Sequence, residues 1–303
     1  MPHILRNKDL EVHIELPNEG YIGTRFDWTG KVTQVLYKGN SICGQEILFS
    51  PKAQQLGKGL YNEFGIEAPI GFEECEIGDW CHKIGVGLIK KESELYDIHR
   101  YYEVQPCEFR VHINAEGVRL ICQSASYNGY AYRLEKHISL SSNNLVVKYR
   151  LINQGEKAIQ TTEYSHNFIC INSAKMDQEY VLRFPFDIQP EKFEEYINPG
   201  KAVKIEAQHL TFHQTPEEAF FIRNMAGTQP VIAHWQLEHH SSKIGISETG
   251  NFPTSLVNLW GMGYVICPEL FANIAVEPGQ GKIWSRKYYI YELMESNSGY
   301  HPT

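Results

Sequence analysis

A histidine and a distant carboxylate, each set among apolar residues, are the groups in this chain best placed to move protons. His166 lies in Thr162-Glu163-Tyr164-Ser165-His166-Asn167-Phe168, and Glu269 in Gly263-Tyr264-Val265-Ile266-Cys267-Pro268-Glu269-Leu270-Phe271. Imidazole titrates close to neutrality, and a carboxyl group deprived of water rises toward the same range. Together they can serve as acid and base without a metal. Each also has a simpler reading: His166 as a core histidine satisfied by a backbone carbonyl, Glu269 as a surface residue beside an edge strand. Pro268 bears on the second, because proline in a strand belongs at an edge or an end, where sites often form.

An extended strand over 160–171 would put Thr162, Tyr164, His166, Phe168 and Cys170 on one face and Glu163, Ser165 and Asn167 on the other. Glu163 then cannot partner His166 without a bulge, so the carboxylate must come from elsewhere in the chain. Other polar groups are candidates for holding a ligand. Trp80 and Lys83, in Asp79-Trp80-Cys81-His82-Lys83-Ile84-Gly85-Val86-Gly87, could form a sugar platform with a polar clamp, or simply a hairpin with a solvated lysine. Gly85 and Gly87 suggest close backbone approach. Asn62 and Glu63 follow the glycine-rich Gly57-Lys58-Gly59 and could face a ligand or belong to a plain turn. Arg25, Tyr164 and Trp260 complete the candidate set, with Trp260 offering either a stacking face or a core side chain.

Metal and nucleotide chemistry find little support. His209, His213, His239 and His240 form no HxH or HExxH, and they read as surface residues. No GxSxG or phosphate-loop spacing occurs, so no cofactor and no metal are expected. The seven cysteines show neither CxxC nor a pairing framework and read as reduced thiols.

Strands must do the positioning. In Leu145-Val146-Val147-Lys148-Tyr149-Arg150-Leu151 the odd positions are apolar while Lys148 and Arg150 point the other way. Comparable runs stand at 31–37, 118–123, 136–140, 180–184, 230–237 and 287–291. Helical pattern is confined to possible turns at 190–196 and 216–220. Many short strands between turn signals predict an all-β chain, one large antiparallel β-sandwich domain over 1–303, with a frayed tail at about 295–303. The 303 residues are enough for a large core. A net charge of −8 speaks against nucleic acid. No apolar run is long enough to span a bilayer and the N-terminus lacks a signal-peptide core, so a cytoplasmic protein, monomer or homodimer, is expected.

The chain resembles the galactose mutarotase-like superfamily, specifically its aldose 1-epimerases. The likeness runs from Gly23-Thr24-Arg25-Phe26-Asp27-Trp28-Thr29-Gly30 and Tyr37-Lys38-Gly39 through Tyr61-Asn62-Glu63-Phe64-Gly65 and Lys83-Ile84-Gly85-Val86-Gly87. It continues with Thr162 to Phe168, Cys267-Pro268-Glu269 and the turn Pro278-Gly279. It implies a β-supersandwich, His166 as general acid and Glu269 as general base, acting on a monosaccharide or other small carbohydrate. The chain departs from the family pattern in having Tyr61-Asn62-Glu63-Phe64 near the place of a usual arginine, and His82-Lys83-Ile84-Gly85 near that of a second histidine. Lys83 is then a candidate donor to the ring oxygen or a nearby hydroxyl.

The expected reaction is interconversion of the α and β anomers of an aldose, with the two groups on opposite sides of the sugar and room for a pyranose between them. Three alternatives stand beside it. A carbohydrate-binding protein of the same fold would have lost the chemistry. An epimerase of a phosphorylated hexose would need Arg25, Lys58 and Lys83 to converge. A metal-dependent cupin lacks its HxH.

Overall fold

In a computed structural model of the protein, residues 2–48, 50–227 and 231–294 are described. The expected tail at 295–303 and Pro230 lie outside them. The chain forms two layers of antiparallel strands, as the alternating runs lead one to expect. One layer passes through Glu108–Asn114, Gly117–Gln123, Tyr132–Ser141, Asn144–Asn153 and Gly281–Glu292. The other passes through His3–Arg6, Leu10–Glu15, Lys31–Tyr37, Leu60–Phe64, Ile159–Asn167 and Val265–Val276.

A single strand of 19 residues, Ile244–Met262, joins the layers. Its first half pairs with Gly281–Glu292 and Val231–His239, its second with Val265–Val276 and Phe220–Arg223. Gly250 and Pro253 fall where the pairing changes over. A small separate sheet holds Trp80–Lys83, Gly87–Lys90 and Val104–Pro106.

The core lies between the layers. Leu145, Val147, Tyr149 and Leu151 are buried in it, while Lys148 and Arg150 are exposed. A buried polar knot ties the layers together. Arg286 bonds Glu163 Oε2 at 2.8 Å and reaches Glu248 as well. Trp284 Nε1 donates to Glu163, and Trp235 Nε1 to Glu248. With these partners a guanidinium can sit in the core without the cost of an unpaired buried charge.

Two sequence expectations fail here. Pro190–Lys192 makes one 3-10 turn, but residues 195–197 are a strand and 216–219 form no helix. His239 is buried rather than on the surface, because strand alternation turns it inward against Tyr180, with ring centroids 4.4 Å apart. The seven cysteines are buried free thiols. Among the described residues no helix is long and apolar enough to cross a membrane.

Candidate active site

The strand carrying His166 changes partner part-way along. Residues Ile159 to Glu163 pair with the Glu269 strand, whereas Glu163 to Asn167 pair with Leu60–Phe64. The Glu269 strand regains contact only at the Ile169–Ile266 bridge. Between these points the two strands are not laddered, and Asn167 Nδ2 spans the gap to the carbonyl of Pro268 at 2.7 Å. Pro268 therefore sits in mid-strand, opposite Leu259, beside a local opening rather than at an end or edge. A residue without an N–H is tolerated where the ladder has lapsed.

Alternation sends Glu163, Ser165 and Asn167 toward the core, where Glu163 meets Arg286. Tyr164, His166 and Phe168 take the opposite face. His166 Nε2 lies 3.3 Å from Glu269 Oε1, and the two side chains are 6% and 5% exposed. The groups expected on opposite sides of a ligand are thus in direct contact, on one wall of a cleft. The strands that carry them are near neighbours in one sheet, so their outward side chains project together.

The imidazole is held among aromatic rings. It stacks on Phe168 with centroids 4.1 Å apart and planes at 9°, and Phe26 and Trp260 meet it edge-on. Burial holds it well below its ordinary pKa, and the positive charge of Arg25 acts in the same direction. Among the described residues its Nδ1 has no hydrogen-bond partner. Burial pushes the Glu269 carboxyl up to about 8; Arg25 opposes the shift, Glu63 adds to it, and a hydrogen bond from Asn258 opposes it. Asn258 stands directly across from Glu269 on the neighbouring strand, and its Oδ1 accepts the backbone N–H of Asn224, leaving the amide NH₂ for the carboxyl. Both shifts disfavour the charged forms, so burial favours a neutral carboxyl beside a neutral imidazole.

The cleft measures about 320 Å³, within the range of roughly 300–1,000 Å³ usual for small-molecule sites. Tyr164, Trp260, Phe271, Asn258 and Arg25 line it beside the pair. Tyr164 and Phe271 stack with centroids 4.3 Å apart. At the rim, Arg223 bridges to Glu67 and Glu194 at 3.1 and 3.0 Å. A larger groove of about 810 Å³ lies next to Gly65, Ile70 and Tyr130, but it contains neither His166 nor Glu269.

Beneath the cleft lies a charged layer. Glu63 is fully buried; its Oε2 accepts from Arg25 Nε at 2.8 Å and from Tyr164 Oη at 2.5 Å. Arg25 Nη2 also donates to Tyr164 Oη at 3.0 Å. Position 63 thus holds a buried carboxylate, and the guanidinium of Arg25 reaches it from another segment.

Four of the expected ligand-binding residues do not line the cleft. Lys83 lies behind Glu63, with Nζ 3.6 Å from Oε1 and bonded to the carbonyl of Gly65. Burial lowers its pKa to about 8 and Glu63 opposes the shift. Glu63 itself supports the cleft from below. Asn62 takes the core side, between Tyr149 and Glu163. Trp80 belongs to the small sheet, under the ammonium of Lys90. Lys58 pairs with Glu15, so Arg25, Lys58 and Lys83 do not converge as a phosphate site would require. Gly85 and Gly87 do mark close approaches, the first to Asp27 and the second to the backbone of Gln105. Among the described residues no three metal-ligating side chains gather.

Asn258 was missed, although Leu256, Asn258 and Trp260 recur at period two, and a polar residue in such a run is a usable signal. Arg223, Glu46 and His99 reach the cleft from segments whose positions only the folded chain reveals.

No protein-family model and no curated protein matches the chain. Solved structures do. A galactose mutarotase related enzyme from Lactobacillus acidophilus is 9% identical with a TM-score of 0.56, over 97% of this chain and 99% of that one. A galactose mutarotase-like protein from Lactobacillus casei ATCC 334 is 12% identical with a TM-score of 0.59, over 96% and 100%. One from Clostridium acetobutylicum is 11% identical with a TM-score of 0.58, over 96% and 95%. The chain has the galactose mutarotase-like fold.

Proposed function

We propose that the protein is an aldose 1-epimerase-type isomerase that interconverts the anomers of a sugar with a free reducing end. The observation that carries this reading is the contact between His166 Nε2 and Glu269 Oε1 at the wall of a sugar-sized cleft. The anomeric hydroxyl and the ring oxygen are bonded to the same carbon. An acid and a base that stand side by side, as this pair does, can therefore reach both.

The pair holds one mobile proton. When it moves from Glu269 to His166, Glu269 can take the proton of the anomeric hydroxyl while His166 protonates the ring oxygen. The bond from the anomeric carbon to the ring oxygen breaks, its electrons go to that oxygen, and the aldehyde forms. Rotation about the bond next to the carbonyl presents its other face. Glu269 then returns a proton to the carbonyl oxygen as the ring hydroxyl attacks and gives its own proton to His166. Protons balance, and no external oxidant or reductant enters. Each proton-transfer group contributes about 10²–10⁴-fold.

His166→Ala and Glu269→Gln test the reading by polarimetry on fresh α-glucose and α-galactose. Folded variants should relax optical rotation about 10²–10⁴-fold more slowly than wild type, and either one matching wild type would refute the reading. A carbohydrate-binding protein without the chemistry predicts sugar binding with no anomeric exchange in wild type.

A further inference from the structure

The catalytic compartment does not end at the catalytic pair. A second cavity of about 220 Å³ adjoins it and shares Arg25, Glu46, Ile98 and His99 with it. Its far wall includes Lys52, Gln55 and Tyr101. That wall is braced: Tyr101 Oη donates to the carbonyl of Ile22 at 2.8 Å, and Thr24 Oγ1 to that of Arg100 at 3.3 Å. The bridges from Arg223 to Glu67 and Glu194 also border the catalytic compartment. A ligand longer than one ring can extend through the shared lining into the second cavity.

The chemistry of the second cavity selects among possible extensions. Its cations are largely matched. Arg25 is bonded to Glu63, Arg100 has Glu92 at 3.9 Å, and Lys52 shares the cavity with Glu46. Such a lining has no surplus of positive charge for a phosphate, which calls for convergent charged donors. Amide, phenol, carboxylate and ammonium groups around a small cavity are instead suited to the hydroxyls of a neutral ring.

Building on the anomerisation reading, we infer that the substrate is a reducing disaccharide or longer saccharide. Its reducing-end ring occupies the compartment of His166 and Glu269, and the next ring occupies the cavity walled by Lys52, Gln55 and Tyr101. The reducing end must be the ring in the catalytic compartment, because only its anomeric carbon carries a free hydroxyl.

Anomer-exchange NMR on the full chain tests this, giving kcat/KM for glucose, maltose, cellobiose, lactose and glucose 6-phosphate. At least one disaccharide should exceed glucose by tenfold or more. Gln55→Trp, which fills the second cavity from an exposed position, should bring that ratio close to one, with Lys52→Trp as a second filling variant. Glucose or glucose 6-phosphate as the best substrate would overturn the inference, and so would a disaccharide preference unaffected by both variants. If wild type accelerates exchange of no sugar, the anomerisation reading falls, and calorimetry on the same panel decides the cavity by itself. A disaccharide bound tenfold more tightly than glucose, with the advantage lost in Gln55→Trp, would support it; equal binding, or none, would refute it.

Discussion

Arg25 and Glu63 are joined through Nε and Oε2 at 2.8 Å, so the guanidinium that reaches the cleft is anchored on a carboxylate with no exposure to solvent. Lys83 approaches the same carboxylate from behind, which leaves one buried negative charge between two cations. Removing one member of such a group strands the others, at a cost of about 3–5 kcal/mol. Glu63→Gln should therefore lose stability on that scale in urea denaturation, although it adds no bulk. A loss below about 1 kcal/mol, the range of surface pairs, would show that the layer does not hold the cleft together.

Under the proposed mechanism activity should follow a bell-shaped pH profile, since one proton must stay on the pair. Glu269 is raised to about 8 by burial, and above that pH the pair is stripped of its proton and lacks an acid. His166 is held well below its ordinary value, so the second proton, which removes the base, arrives only in distinctly acidic solution. The two limbs belong to the coupled pair rather than to either residue. Asn258→Leu deletes a donor that favours the carboxylate, so the alkaline limb should move up. Rates of kcat/KM across pH 4 to 10 check both points; activity that keeps climbing past pH 9 in wild type would contradict the assignment.

The same shift affects stability. In the unfolded chain Glu269 titrates near 4.5, and in the folded one near 8. Between these values only the folded state keeps the proton, so folding stability falls as pH rises through that window. At about 1.4 kcal/mol per pKa unit, the cost at pH 8 and above is on the order of 3–5 kcal/mol. Glutamine does not ionise. Glu269→Gln should thus be more stable than wild type at pH 8.5 by a margin that shrinks toward pH 5. Chemical denaturation at the two pH values measures this, and a constant margin would mean that Glu269 is not a buried titrating group.

What could be read from the sequence, and what could not, follows from contrast along each strand. His166 and Glu269 were legible because each interrupts an apolar run, and period-two alternation separated Glu163 from the cleft. In Leu60–Phe64 every residue is buried, so no inside–outside contrast fixes the phase, and Asn62 and Glu63 could not be told apart. They face opposite ways. Trp80 and Lys83 sit on a hairpin whose tilt depends on packing far along the chain. The direct contact of His166 with Glu269 was also hidden, because it depends on where the His166 strand exchanges one neighbour for another.

The core knot should be as sensitive as the charged layer beneath the cleft. Arg286 is fully buried between Glu163 and Glu248 and spans both layers. Arg286→Met keeps much of the volume but leaves two carboxylates facing each other without a cation. A loss of about 3–5 kcal/mol is expected. The triple variant Arg286→Met, Glu163→Gln, Glu248→Gln should recover part of it, since amides carry no charge to bury. Thermal unfolding of the three proteins separates the cases, and a triple variant less stable than Arg286→Met would argue that packing, not charge, is lost.

His166 and Glu269 should also fail as a unit. Their shared proton means that a base without its acid, or an acid without its base, completes only half of the exchange. Groups that act together show strongly non-additive losses. If His166→Ala and Glu269→Gln each lower kcat/KM by about 10²–10⁴-fold, independent action would multiply the two factors in the double variant. Coupled action predicts a double variant no slower than the worse single one, with the residual rate left to substrate positioning by the rest of the cleft. Anomer-exchange NMR on the three variants distinguishes these outcomes. A fully multiplicative loss would mean that the 3.3 Å contact between Nε2 and Oε1 has no role in passing the proton, and that each group works alone.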